Sequence, residues 1–245
     1  NKNEINIINK CDELSEGRYK DNFLYCSAKN NVGIELGVAE GYFSEKMLIS
    51  NKFKNFYGVD SYKEFQHNEN EYIKTREKLK KYKNNKLIRD TFENSVNLFE
   101  DEYFDFIYID GFAHTGNNAG KTIYDWYKKL RIGGILSGDD YHNDWPLVVE
   151  TVNNFINQTN FELNLTKTIA DNPYSQYPSW YITKTKNTEL KNFTKFVYKA
   201  KIEHQKEIFK RKLKINKIKP LLYKILTKLE GKKIFNLLKK IKKKI

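Results

Sequence analysis

The chain has 245 residues, 39% of them apolar and 31% charged, enough to bury one α/β core of ordinary size without disulfide staples. Its net charge of +13 is uneven: residues 191–245 hold 20 of the 44 basic and 3 of the 31 acidic residues, leaving 24 basic and 28 acidic residues in 1–190. The mildly acidic body excludes the charge signature of a nucleic-acid enzyme, Cys11 and Cys26 lack metal-ligand spacing, and no apolar run reaches the roughly 18 residues of a membrane span.

Residues 1–30 read as a helical segment, with Ile5, Ile8, Leu14, Phe23 and Leu24 spaced among polar residues. Val32 to Leu36 is short and apolar and reads as a buried strand. Gly37 and Gly41 follow, then a helix to about residue 50. Asn55 to Val59 is a second strand, ending at Asp60. Residues 61–70 read as a loop that can close as a lid, and 69–83 as a charged surface helix. Lys86 to Ile88 is a third strand and Phe104 to Ile109 a fourth, ending at Asp110. A loop over 111–118 leads to a helix ending near Leu130. Gly133-Gly134 reads as the turn into a fifth strand, Ile135 to Ser137, which ends at Asp139-Asp140. Residues 145–157 fit a helix with Pro146 in its first turn, where a missing N–H costs nothing. Phe161 to Thr166 and Ser179 to Thr183 can pair as a terminal hairpin.

Strands alternating with helices predict βαβ units and a mostly parallel sheet over residues 31–190. Ligands of such sheets bind beyond the carboxyl ends of the strands. Gly37, Asp60, Asp90, Asp110 and Asp139 all fall there. A single Asp after a strand is usually only a turn or helix-cap residue. Four in succession favour a site.

Glu35-Leu36-Gly37-Val38-Ala39-Glu40-Gly41 is an acidic-x-Gly-x-x-x-Gly element between a strand and a helix. Glycine permits the tight turn and close approach of a ligand to the backbone. The element resembles motif I of class I S-adenosylmethionine-dependent methyltransferases, and its glycine spacing is not the dinucleotide fingerprint. The resemblance implies a Rossmann-like, mostly parallel seven-stranded sheet with helices on both faces. It implies that Gly37, Val38, Ala39 and Gly41 hold the methionine part of S-adenosylmethionine, with Glu35 fixing its amino group directly or through water. Asp60, 25 residues beyond Glu35, falls where an acidic group accepts from both ribose hydroxyls, with Ser61 beside it. Asp90, Thr91 and Phe92 fall where the family contacts adenine, and Asp110 completes the cofactor set.

Ile109-Asp110-Gly111-Phe112-Ala113-His114, then Asp125-Trp126, Gly133-Gly134 and Asp139-Asp140-Tyr141, are similar to a subgroup of bacterial sugar- and antibiotic-tailoring enzymes, the macrocin O-methyltransferase-like proteins. Some of its members are metal-dependent. That likeness implies Asp110, Asp139 and Asp140 as ligands of Mg²⁺, a hard cation that takes oxygen ligands and keeps several waters. Their bland reading is capping of neighbouring loops. Methyl transfer otherwise needs a positioned acceptor and removal of its proton. His142 and His114 stand just past the two relevant strand ends, and either can serve as general base, with His142 preferred; Asp110 is the third candidate catalytic residue. Tyr141, Tyr174, Tyr177 and Trp180 are candidates for lining an acceptor pocket, although tyrosine is abundant throughout the chain.

Thr115 to Thr122 resembles a phosphate-binding P-loop but lacks its first glycine, so Lys121 is not expected to bind nucleotide phosphates. Residues 191–245 read as a basic amphipathic helical tail, with Ile218, Leu221, Leu222, Ile225, Leu226 and Leu229 at helical spacing and lysines on the other faces. Such a tail suits an anionic membrane surface, the body of the protein or a second copy of the chain, and suits nucleic acid less. The sequence therefore predicts a cytoplasmic enzyme, peripheral at the inner membrane face if the tail binds lipid, that methylates an oxygen of a sugar or a phosphorylated or nucleotide-linked precursor. The alternatives are N-methylation, methylation of RNA recruited by the tail, and a non-catalytic module tethered by the tail.

Overall fold

The computed structural model describes residues 30–63, 67–111, 120–166, 177–191, 202 and 206. The elements in chain order are β1 (Asn31–Leu36), α1 (Tyr42–Ile49), β2 (Phe53–Val59), α2 (Glu69–Leu79), β3 (Asn85–Ile88), α3 (Phe92–Ser95) running into a 3₁₀ turn (Val96–Leu98), β4 (Phe104–Ile109), α4 (Lys121–Tyr127), β5 (Leu130–Gly138), α5 (Pro146–Thr159), β6 (Asn164–Leu165) and β7 (Trp180–Thr183). The strands form one seven-stranded sheet in the order β3-β2-β1-β4-β5-β7-β6. Pairing is parallel from β3 to β5, and β7 runs antiparallel to both β5 and β6.

Period-two alternation explains how the sheet is covered on both sides. Ile34 and Leu36 of β1, Ile107 and Ile109 of β4, and Leu136 of β5 share one core with Ile123 and Trp126 of α4 and Val148, Val152 and Phe155 of α5. Phe106 and Tyr108 of β4 point the other way, into a second core with Phe43, Met47 and Leu48 of α1 and Leu79 of α2. Both faces of the central strands are apolar because both are buried, as parallel sheets require. Reversal of strand order falls between β1 and β4, so the turns leaving these two strands flank the crevice where α/β sheets bind ligands.

Several boundaries differ from the sequence reading. Gly133-Gly134 is not a turn preceding β5 but lies inside it. Leu130 pairs with Phe104 and Ile135 with Phe106, so four residues of β5 bulge out opposite one of β4. The excursion is held by β7, with Gly133 N donating to Lys184 O and Lys184 N to Gly134 O. Gly133 takes the positive φ of 82° that this bulge demands. Helix α2 stops at Leu79 rather than 83, because Tyr82 N turns back to Leu79 O and its hydroxyl reaches Glu45. Helix α4 ends at Tyr127, since Leu130 already belongs to β5. The short α3 has no counterpart in the sequence reading; Thr91 caps it by accepting from Asn94 N.

Lys184, just past β7, is 1% exposed. Its Nζ donates to Leu130 O at 2.6 Å and Tyr127 O at 3.4 Å, closing the end of α4 over the ring of Tyr127. Burial pushes this amine below its ordinary pKa. Among the described residues no helix is long and apolar enough to cross a membrane. The expected N-terminal helix, apart from Asn30, and all of the expected tail except residues 191, 202 and 206 lie outside the described residues.

Candidate active site

The turn after β1 is fixed from every side by groups that do not belong to it. Gly37 has φ 98°, and a Cβ there would lie 1.7 Å from the carbonyl oxygen of Asp110. Only glycine lets the ends of β1 and β4 pass this closely. Gly37 N donates to Val59 O and Asp110 N to Leu36 O, so the ends of β1, β2 and β4 are knitted together. Gly41, at φ 75°, opens helix α1.

Asp60 completes the turn. Its Oδ2 accepts from Val38 N at 3.1 Å and Ala39 N at 3.0 Å, and its Oδ1 accepts from Tyr62 N at 3.0 Å. An ionised carboxylate offers about four acceptor positions, so three protein donors leave about one for a ligand. These backbone donors share the carboxylate that the sequence reading assigns to the ribose hydroxyls. Ser61 lies half-buried in the same turn. Glu35 is 1% exposed beneath the loop, where Ser44 of α1 donates to its Oε2.

Next along the sheet edge, Asp90 accepts from Asn94 Nδ2 and Thr91 N, and these two bonds hold its carboxyl below the ordinary range. Phe92 packs over Gly111, where a Cβ would come within 2.6 Å of its ring. Asp110, Gly111 and Phe92 therefore sit together beside Gly37, while Asp90 and Thr91 start α3.

The carboxylates expected for Mg²⁺ stand at the ends of β4 and β5. Asp139 is buried, and its Oδ1 accepts from Ser179 Oγ at 3.1 Å. The Ser179 hydroxyl lies in turn 3.1 Å from the hydroxyl of Tyr108, whose ring stacks on Phe43 at 3.9 Å. Asp140 adopts φ 59° to reverse the chain, and its carbonyl accepts from His142 N. Among the described residues no group of three or more His, Cys, Asp and Glu is placed to hold a metal ion. Asp139, one of the three carboxylates expected at the adjacent strand ends, also serves the seam between β5 and the chain entering β7.

Past β5, the ring of His142 stacks on Tyr177 with centroids 4.7 Å apart. Its Nδ1 accepts from Asp144 N at 3.2 Å and lies 3.6 Å from Asp144 Oδ2. Tyr177 donates its hydroxyl to the same carboxylate at 2.7 Å, and that bond raises the phenol's pKa. With Nδ1 accepting, a neutral His142 carries its proton on Nε2. Tyr141 is turned toward α5, where its hydroxyl donates to Asn153. Trp180 is buried under Gly138 and lines no open surface. His114 and Tyr174, and all of Thr115–Thr122 except the last three residues, lie outside the described residues; Lys121 pairs with Asp125.

Sequence reasoning missed Tyr62, Thr75 and Lys78. Tyr62 OH and Thr75 Oγ1 both donate to Ala39 O, at 2.9 and 2.8 Å, and Lys78 Nζ donates to Glu40 O at 2.7 Å. Thr75 and Lys78 stand three apart on α2 and so share a face, the one readable signal for the last two.

Residues 34–141 match a protein-family model described as a methyltransferase domain. Solved structures share the fold. An rRNA methylase from Streptococcus thermophilus is 19% identical, with a TM-score of 0.51 over 68% of this chain and 93% of its own. A Streptococcus mutans protein solved in complex with SAH is 22% identical, with a TM-score of 0.50 over 66% of this chain and 94% of its own. The N-methyltransferase NodS from Bradyrhizobium japonicum is 16% identical, with a TM-score of 0.52 over 69% and 95%. No curated protein matches the chain. The chain shares the fold of these methyltransferases, and residues 34–141 are where it matches the methyltransferase-domain model.

Proposed function

We propose that the chain is an S-adenosylmethionine-dependent O-methyltransferase acting on a small molecule, a sugar or a phosphorylated or nucleotide-linked precursor of a surface glycan. The observation that carries the donor half is the glycine turn at the β1/β4 switch point, locked onto Asp60 inside a matched methyltransferase domain. When bound there, S-adenosylmethionine supplies a methyl group on a sulfonium that is already a good leaving group. Asp60 has one acceptor position for a ribose hydroxyl, and the face of Phe92 beside Gly111 suits adenine. The acidic balance of residues 1–190 supports a small acceptor over a polyanion.

On the acceptor side, His142 presents Nε2–H to orient the acceptor oxygen. In the other neutral tautomer, reached by exchange of the ring proton with solvent, Nδ1–H faces the Asp144 carboxylate 3.6 Å away and Nε2 is free to take the acceptor's proton. Mg²⁺ assistance through Asp110, Asp139 and Asp140 belongs to the same reading: turnover lost in EDTA and restored by Mg²⁺ supports it, and unchanged turnover in EDTA removes it. The basic tail favours a second reading, recruitment of RNA or of an anionic membrane surface.

Calorimetry with S-adenosylhomocysteine is the test. Micromolar binding that Asp60→Ala weakens at least about 100-fold is expected, and wild-type protein that does not bind refutes the reading. Radiolabelled methyl transfer to sugar nucleotides then separates the acceptor classes. Binding of anionic liposomes or RNA that disappears on deletion of 192–245 establishes recruitment by the tail.

A further inference from the structure

We infer that Tyr62 and Thr75 are positioning residues of the cofactor loop, a latch that sets its amide groups before any ligand arrives. The inference rests on the proposed S-adenosylmethionine reading of this turn. Ala39 is not glycine, yet it takes φ 47°, a left-handed conformation that strains an ordinary residue. Tyr62 does the same at φ 49°. Two such residues persist only where their surroundings overdetermine them.

The surroundings do so. Asp60 grips the N–H groups of Val38 and Ala39 from one side of the turn. Tyr62 and Thr75 grip the Ala39 carbonyl from the other, and Lys78 takes the next carbonyl, that of Glu40. The N–H groups of Val38 and Ala39 and the carbonyls of Ala39 and Glu40 are thus held by side chains of β2's turn and α2. Gly41 closes the arrangement, since a Cβ there would meet Thr75 Cγ2 at 2.9 Å. Burial, and secondarily the charge of Asp60, keeps the Tyr62 phenol protonated and therefore a donor.

A side chain that only filled space would not need these hydroxyls. Phenylalanine would keep Tyr62's ring contact with Tyr72, and valine would keep Thr75's methyl contact with Gly41. What they would lose is the fixed direction of the Ala39 peptide, which belongs to the loop that meets the methionine part of the cofactor. Preorganising a loop raises affinity by removing its ordering cost from the binding step.

The test uses the full chain, S-adenosylhomocysteine as probe, and the variants Tyr62→Phe, Thr75→Val, Thr75→Ser and the double variant Tyr62→Phe/Thr75→Val. Each hydroxyl deletion should weaken binding about fivefold to tenfold, as loss of one hydrogen bond near 1 kcal/mol predicts. The double variant should fall well short of the product of the two, because both hydroxyls hold one carbonyl. Thr75→Ser should restore wild-type affinity. Affinities within twofold of wild type, with only the unfolding temperature lowered, would reduce both residues to scaffold and overturn the inference. If wild-type protein does not bind the probe, the proposed function fails separately. The latch is then read by hydrogen exchange at the Ala39 and Gly41 amides. Tyr62→Phe and Thr75→Val should accelerate it, and unchanged exchange overturns the latch.

Discussion

Two halves of the same sheet edge are built on opposite plans. At β1 and β2 the reactive surface is backbone, and side chains from β2's turn and α2 hold it: Asp60, Tyr62, Thr75 and Lys78 all end on peptide groups of residues 38–40. At β4 and β5 the surface is side chain, and other side chains hold it, with Ser179 on Asp139 and with Asp144 on Tyr177 and beside His142. A peptide group offers the same donor and acceptor whatever residue carries it, so the first half suits one invariant ligand. Side chains differ in charge, reach and shape, so the second half suits a ligand that changes between enzymes. The fold itself is shared with an rRNA methylase and an N-methyltransferase.

The sharpest way to break the first half is Gly37→Ala. The new Cβ overlaps the Asp110 carbonyl, a backbone atom that cannot swing aside, and φ 98° is strained for any L-residue. A loss of at least about 4 kcal/mol is expected in chemical denaturation, the range of severe core and backbone disruption. A loss below about 1 kcal/mol would show that β1 and β4 separate easily and that the knitted edge is not rigid.

The glycine turn, the parallel sheet and β4 at Phe104–Ile109 were all legible, because alternation and glycine spacing are local signals. The bulge in β5 was not, since Gly133-Gly134 reads identically in a turn and in a strand that opens to receive Lys184's backbone. Nor was the latch: Ala39 and Thr75 are 36 residues apart, and only the docking of α2 brings them together. Asp139 was legible as a strand-end carboxylate and illegible as a partner of Ser179, 40 residues on. Sequence position placed the candidate residues along the edge; what each side chain touches depended on packing.

Ser179→Ala probes the second half. It removes the centre of the Tyr108–Ser179–Asp139 chain and leaves a buried phenol and a buried carboxylate each one partner short. A stability loss of about 1–3 kcal/mol is expected, with affinity for S-adenosylhomocysteine unchanged within twofold. A large fall in that affinity would mean that the two halves are one cooperative site, which dissolves the contrast. The smallest effect belongs to Tyr177→Phe. Its bond to Asp144 is exposed, so stability should change by less than about 0.5 kcal/mol, measurable as a minor shift in the denaturation midpoint. Any larger change would show that the stacked His142–Tyr177 pair carries part of the fold.

Lys184 gives the scaffold a built-in reporter. Exposed lysine amines meet acylating reagents at once. The Lys184 amine faces carbonyls at the far end of α4 instead of water, so it reacts only when β7 parts from β5 or α4 lifts. Its rate of modification therefore clocks the opening of the sheet at the pole away from the ligand edge, independently of anything bound there.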